Sequence, residues 1–234
     1  MNIPQAQTIS DEQAKNLLDQ AGRLGLTPAY LPKKHQLLLE DGEGWLAKLY
    51  LSWTIRWVEH GWAERADPHY SLLLLRAGQA AVGYFHRGEL LDHKVFRAYM
   101  VRQKQGVSQI KHLKTKGKSR AGSRIRLAET ERFFEEINER LNSYADSYPI
   151  DFWGISCAKT MWPFYFDSAV SPPFSQKQEN LIELPVHVAQ ASFGELEKAG
   201  QLVNRFHLIL SGRGEQLFAI VGQGHSSADG DDDW

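Results

Sequence analysis

The chain has 234 residues, 42% of them hydrophobic, with 27 Lys and Arg against 28 Asp and Glu. That length and apolar content support a real core in one large domain or two modest ones. A single cysteine excludes an internal disulfide framework and any multi-cysteine zinc site. The longest aliphatic run, Leu72 to Leu75, falls far short of the ~20 residues that span a bilayer.

Met1-Asn2-Ile3-Pro4-Gln5 has neither a basic region nor an apolar run, so no signal peptide, no membrane partner and a cytoplasmic location are expected. Ser10 followed by Gln13 is a capping-box pattern and Gly22 a stop, which predicts a helix over 10–21. After a turn-rich piece with Pro28 and Pro32, Trp45, Leu49, Trp53 and Trp57 recur every four residues and predict a helix over 43–60, closed by Gly61 and Pro68. Such a stripe suits a core or an interface better than base stacking. From Tyr70 the pattern changes to short apolar runs, 70–75, 80–85, 89–91 and 95–101. Ala77-Gly78 and Arg87-Gly88 punctuate them, which predicts an antiparallel meander.

Residues 102–120 lack apolar periodicity and read as an exposed, mobile loop. A helix over 121–144 follows, with Leu127, Phe134, Ile137, Leu141 and Tyr144 on one face and Glu129, Glu131, Glu135 and Glu139 directed to solvent. Then come a buried strand at 151–157, a strand near 181–188, a helix over 192–206 and an edge strand at 217–221. Cys157 ends the first of these strands as a small buried hydrophobe. The tail 226–234, with four Asp, reads as disordered.

Charge is not evenly spread. Between His93 and Arg126 there are eleven Lys or Arg and no Asp or Glu; taking those eleven from 27 leaves 16 basic against 28 acidic residues elsewhere. The cations flank an uncharged tip, Gly106-Val107-Ser108-Gln109, and continue into the helix as Arg124 and Arg126, where the helix dipole disfavours them. Local rules broken in this way point to function, and the pattern predicts contact with phosphate backbones, RNA rather than DNA. Nine histidines are scattered without a His-Glu-x-x-His or Cys–His pairing, so no metal and no cofactor are expected. Gly-x-x-x-x-Gly-Lys, Gly-x-Gly-x-x-Gly and Gly-x-Ser-x-Gly patterns are all absent, and Gly222-Gln223-Gly224 is too short to stand for one.

The segment His93-Lys94-Val95-Phe96-x-x-Tyr99-Met100-Val101-Arg102-x-Lys104-Gln105-Gly106-Val107-Ser108-Gln109 resembles the Vms-like branch of the archaeal and eukaryotic peptide-chain release factors, whose bacterial members are called release-factor-like. The family pattern there is close to His-Lys-x-Phe-x-Arg-Tyr-Thr-Val-Arg-x-Lys-Gln-Gly-Gly-Ser-Gln. Ser119-Arg120-Ala121-Gly122-Ser123-Arg124-Ile125-Arg126 resembles the block that opens the family's following helix. The likeness covers roughly 70–210. It implies an α/β (α+β) fold with a mixed sheet flanked by helices, similar to the release-factor middle domain. The predicted organisation is therefore an N-terminal helical region (1–68), a release-factor-like catalytic domain (69–225) and the acidic tail (226–234).

The resemblance also implies hydrolysis of peptidyl-tRNA on the large ribosomal subunit, freeing chains from stalled or split ribosomes. Gln109 takes the place of the functional glutamine, with Gly106 and Ser108 beside it. Arg102, Lys104, Lys111, Lys114, Lys116, Lys118, Arg120, Arg124 and Arg126 would face RNA. The chemistry of the residues agrees. A glutamine amide is no base near neutral pH, but it orients a water by donating and accepting at once. Its backbone N–H, on a glycine-containing loop, suits a developing oxyanion. Two departures stand out: Val107 in place of the second glycine, which disfavours positive φ, and Ala98 in place of an arginine. Two alternatives remain, a tRNA endonuclease acting near the CCA end with His112 as proton acceptor, and a non-catalytic ribosome- or tRNA-binding factor.

Overall fold

The computed structural model describes residues 1–59, 61–98 and 118–218, with the backbone alone for 118–130. In chain order, the first third comprises β1 (Gln7–Ile9), α1 (Asp11–Arg23), β2 (Ala29–Leu31), β3 (Gln36–Asp41), β4 (Gly44–Tyr50), β5 (Ile55–Val58) and β6 (Gly61–Glu64). The expected first helix is present: Ser10 and Gln13 form the reciprocal capping box, and Gly25 takes φ +72 just beyond the end.

The helix expected over 43–60 is replaced by β4 and β5, so the N-terminal region is mainly strand, with α1 its one long helix. A spacing of four is even. It therefore keeps residues on one face of a strand as well as near one face of a helix. The deciding signal is the preceding turn, where the Asp41 carboxylate accepts from the Glu43 and Gly44 N–H groups at 2.9 and 3.2 Å and reverses the chain. Trp53 is buried as core, edge-on to Tyr70 at 5.4 Å, whereas Trp45 is largely exposed beneath Lys48.

The middle of the chain holds β7 (His69–Arg76), β8 (Gln79–His86), β9 (Glu89–Arg97) and α2 (Lys118–Ser147). The expected meander is there, with its third and fourth runs joined into the single strand β9. Arg87 and Gly88 both take positive φ, the geometry of a tight two-residue hairpin. α2 begins three residues earlier and ends three later than expected. It buries Phe133, Phe134, Ile137, Leu141 and Tyr144, while Glu131 and Glu139 are exposed.

After it come β10 (Phe152–Ser156), α3 (Trp162–Phe166), β11 (Leu181–Glu183), α4 (Phe193–Val203), β12 (Phe206–Leu210) and α5 (Gly212–Leu217). The predicted strand near 181–188 shortens to β11. Phe206, expected at a helix end, opens β12. Leu217 closes α5 rather than starting an edge strand, and residues 219–221 of that run lie outside the described residues. The acidic tail also lies outside them.

The fold is α/β, with two five-stranded sheets, a two-stranded antiparallel ribbon of β5 and β6, and helices. One sheet has the order β1-β12-β4-β3-β2 and is antiparallel throughout. The other, β11-β10-β7-β8-β9, is mixed, since β10 runs parallel to both β7 and β11. α1 covers the first sheet. The second is buried on both faces, one shared with α4 and the other with α2 and α3. Tyr70, Leu72 and Leu74 accordingly enter one core and Leu73 and Leu75 the other, which explains an aliphatic run without polar alternation. α4 lies so close that a Cβ on Gly200 would come within 2.2 Å of the Phe85 ring. Among the described residues no helix is long and apolar enough to cross a membrane.

Candidate functional site

The segment that carries Gly106, Ser108 and Gln109 and the cations Arg102, Lys104, Lys111, Lys114 and Lys116 lies outside the described residues. Its two supports lie within them. On one side β9 closes with an Ala98 N–H donated to the Gly78 carbonyl at 2.9 Å. On the other α2 begins at Lys118, so Lys118 and Arg120 occupy its first turn, Arg124 the second and Arg126 the third; the first turn has no acidic residue.

Both supports stand at one end of the second sheet. β9 and β10 run in the direction of β7, and the register pairs Gln79 with Arg97 and Leu74 with Ser156. The carboxyl ends of these three strands therefore come together. α2 runs back the other way. Phe134 meets Tyr165 beyond the carboxyl end of β10, while Tyr148 stacks on Tyr84 at 3.8 Å near the start of β7. Residues 118–130 account for about 20 Å of the length of α2 at 1.5 Å per residue.

The anchored part of α2 is tied down by polar contacts as well as by its apolar face. Arg140 pairs with Asp92 on β9 and lies over the Tyr144 ring. Asn138 and Asn142 donate to the Val170 and Ser171 carbonyls at 2.7 and 3.0 Å. Beneath the site, Arg76 donates to the carbonyls of Val188, Leu75 and Ser156 and to Ser156 Oγ, joining β7, β10 and the segment after β11. Desolvation lowers its pKa, though it remains a cation. Neither Arg76 nor this role was visible in the sequence. An arginine at a strand end looks like any solvated turn residue until the parallel partner is known.

Cys157, at the end of β10, is half-buried, and burial pushes its thiol up to about 11, which makes it a neutral and poorly nucleophilic group. Lys159 pairs with Glu183 at 2.6 Å and sits 3.8 Å over Trp162, while Phe164 on α3 is 68% exposed. This part of the surface thus carries an ion pair beside an exposed aromatic side chain.

Residues 70–210 match the family model described as Bacteroidetes VLRF1 release factor. This is more than half of the chain, and the chain belongs to that family. The matched span takes in the motif from His93 to Gln109. Among solved structures, the chain is similar to one titled "Vms1 mitochondrial localization core", at 10% identity and a TM-score of 0.40, over 86% of this chain and 84% of that one. No curated protein matches. Family membership carries a ribosome-associated release-factor role, and with it interaction with ribosome and tRNA.

Proposed function

We propose that this protein frees nascent chains from tRNA in the large ribosomal subunit by promoting hydrolysis of the peptidyl-tRNA ester. In this reading Gly106-Val107-Ser108-Gln109 enters the peptidyl-transferase centre. The Gln109 amide holds the attacking water, and its backbone N–H faces the developing oxyanion. Arg102, Lys104, Lys111, Lys114, Lys116, Lys118, Arg120, Arg124 and Arg126 neutralise RNA phosphates on either side. Positioning supplies most of the rate, with RNA completing the site, so a loop without a carboxylate suffices.

The observation that carries this reading is that a release-factor family match spans the motif, while the strand before it and the helix after it are both anchored at the carboxyl end of the second sheet. A cytoplasmic location belongs to the same proposal.

The test is to incubate the protein with purified ribosome–nascent chain complexes and weigh the released peptide. A free carboxyl terminus supports ester hydrolysis. A nucleotide adduct would instead assign the loop to tRNA cleavage, and binding without release would assign it to a non-catalytic factor. Peptide release by Gln109→Ala at the parent rate would overturn the mechanism.

A further inference from the structure

At the far end of the second sheet, away from the loop, the fold assembles three ligand-type side chains that the sequence scatters. His69 opens β7 and His86 closes β8, and the register sets them directly opposite one another. Their rings stack at 4.5 Å, 16° from parallel. Asp67, two residues before β7 and held by the Pro68 that follows it, lies across both: His69 Nε2 donates to one carboxylate oxygen at 2.9 Å and His86 Nε2 to the other at 2.6 Å. One ligand atom from each residue falls within 4.8 Å of the others.

We propose that Asp67, His69 and His86 bind a divalent transition cation of the zinc class, with water as the remaining ligand. Two imidazole nitrogens and a carboxylate oxygen are a suitable donor set for such an ion, at about 2.0–2.2 Å from each. Both Nε2 atoms already point to the carboxylate, and a shift of each ring to its other tautomer frees Nε2 for an ion placed between them.

The second shell is built for the exchange. His69 is nearly buried, and its Nδ1 lies 2.7 Å from the Tyr84 hydroxyl. With Nε2 protonated, that hydroxyl donates to Nδ1; with Nε2 on a metal, Nδ1 carries the proton and the hydroxyl accepts it. His69 keeps its hydrogen bond to Tyr84 in either state. The Asp67 carboxylate presents one oxygen to each ring, accepting from His69 and from His86. Arg87 also reaches Asp67, at 3.0 Å, but it is exposed and free to turn away. Because Tyr84 stacks on Tyr148, an ion here would brace the end of α2 opposite the loop.

The experiment is calorimetric titration of the chelator-treated full chain with Zn2+ alone. Cobalt absorption follows the same variants. One equivalent should bind with micromolar or tighter affinity, and Co2+ should give tetrahedral visible bands without a thiolate charge-transfer band. His86→Gln and Asp67→Asn should each weaken binding at least 100-fold, and Tyr84→Phe, which spares every ligand, about 10-fold. His187→Gln should bind as the parent does. Thermal unfolding of each variant without metal checks that it is folded. No saturable binding below millimolar zinc would overturn the proposal, as would full-affinity binding by folded His86→Gln and Asp67→Asn. In either case the three residues form a hydrogen-bonded cluster only.

Discussion

The two five-stranded sheets of this protein differ in how they are made and in what they carry. The first is antiparallel throughout, yet it depends on β12, which reaches it from residues 206–210 and lies between β1 and β4. The second is mixed but nearly contiguous in sequence across β7, β8 and β9, and it holds the motif segment between β9 and α2. The first is therefore a scaffold whose closure depends on a distant strand. The second carries the segment of the proposed chemistry at one end, and its other end fastens α2. Disturbing the first sheet should change stability and leave chemistry alone, whereas the loop of the second should do the reverse.

The largest effect is expected at the loop. Gln109→Ala should slow peptide release about 100-fold or more, the scale of losing one preorganised stabilising group, with unchanged thermal unfolding. Leu141→Ala inverts that pattern. It empties a fully buried position between α2 and the second sheet and should cost about 2–5 kcal/mol by denaturant unfolding.

In the first sheet, His35 donates through Nε2–H to the Ser52 carbonyl at 3.0 Å, accepts from the Tyr30 hydroxyl at 2.7 Å and packs on Phe152 of the second sheet. Burial lowers its pKa to about 4. The unfolded chain takes up a proton below about 6.5 that the folded state refuses. Stability is then complete above that pH and falls as pH drops toward 4, by about 3 kcal/mol at about 1.4 kcal/mol per unit. Unfolding measured across that window should show the decline, and His35→Gln should flatten it without altering release at neutral pH. If His35→Gln slowed release as much as Gln109→Ala does, the division between scaffold and chemistry would be lost.

Smaller effects refine the contrast. Replacing Lys114, Lys116 and Lys118 together by Gln should flatten the log–log salt dependence of ribosome binding by about 2–3. Val107→Gly should raise release a few-fold, because glycine admits the positive φ that valine resists. An unchanged rate would show that the loop works at negative φ.

The same contrast explains what could be read in advance. In the second sheet every turn is marked: Gly78 and the Arg87-Gly88 pair take positive φ, and the runs between them have strand length. In the first, the Asp41 turn is a weaker mark, and the four-residue spacing of Trp45, Leu49, Trp53 and Trp57 fits a helix as well as a strand. β12 is hidden in the sequence because its five residues follow α4 after only two more, so its apolar run continues the helix pattern. Of the candidate site, the charge segregation and the tip residues were legible, since composition and motif are properties of the chain itself. Arg76 was not, because its partners come from Ser156 and Val188, 80 and 112 residues away.

By itself, then, the sequence determined the local and the compositional: the Ser10–Gln13 cap, the β7–β9 turns, the buried face of α2 and a cationic segment around Gln109. Tertiary structure alone decided that β12 completes the first sheet, that β10 lies parallel to β7, and that Asp67, His69 and His86 meet. Caps and turns are settled by interactions within a few residues. Strand partners are chosen by which apolar faces bury one another across long loops, and no short window of sequence contains that choice.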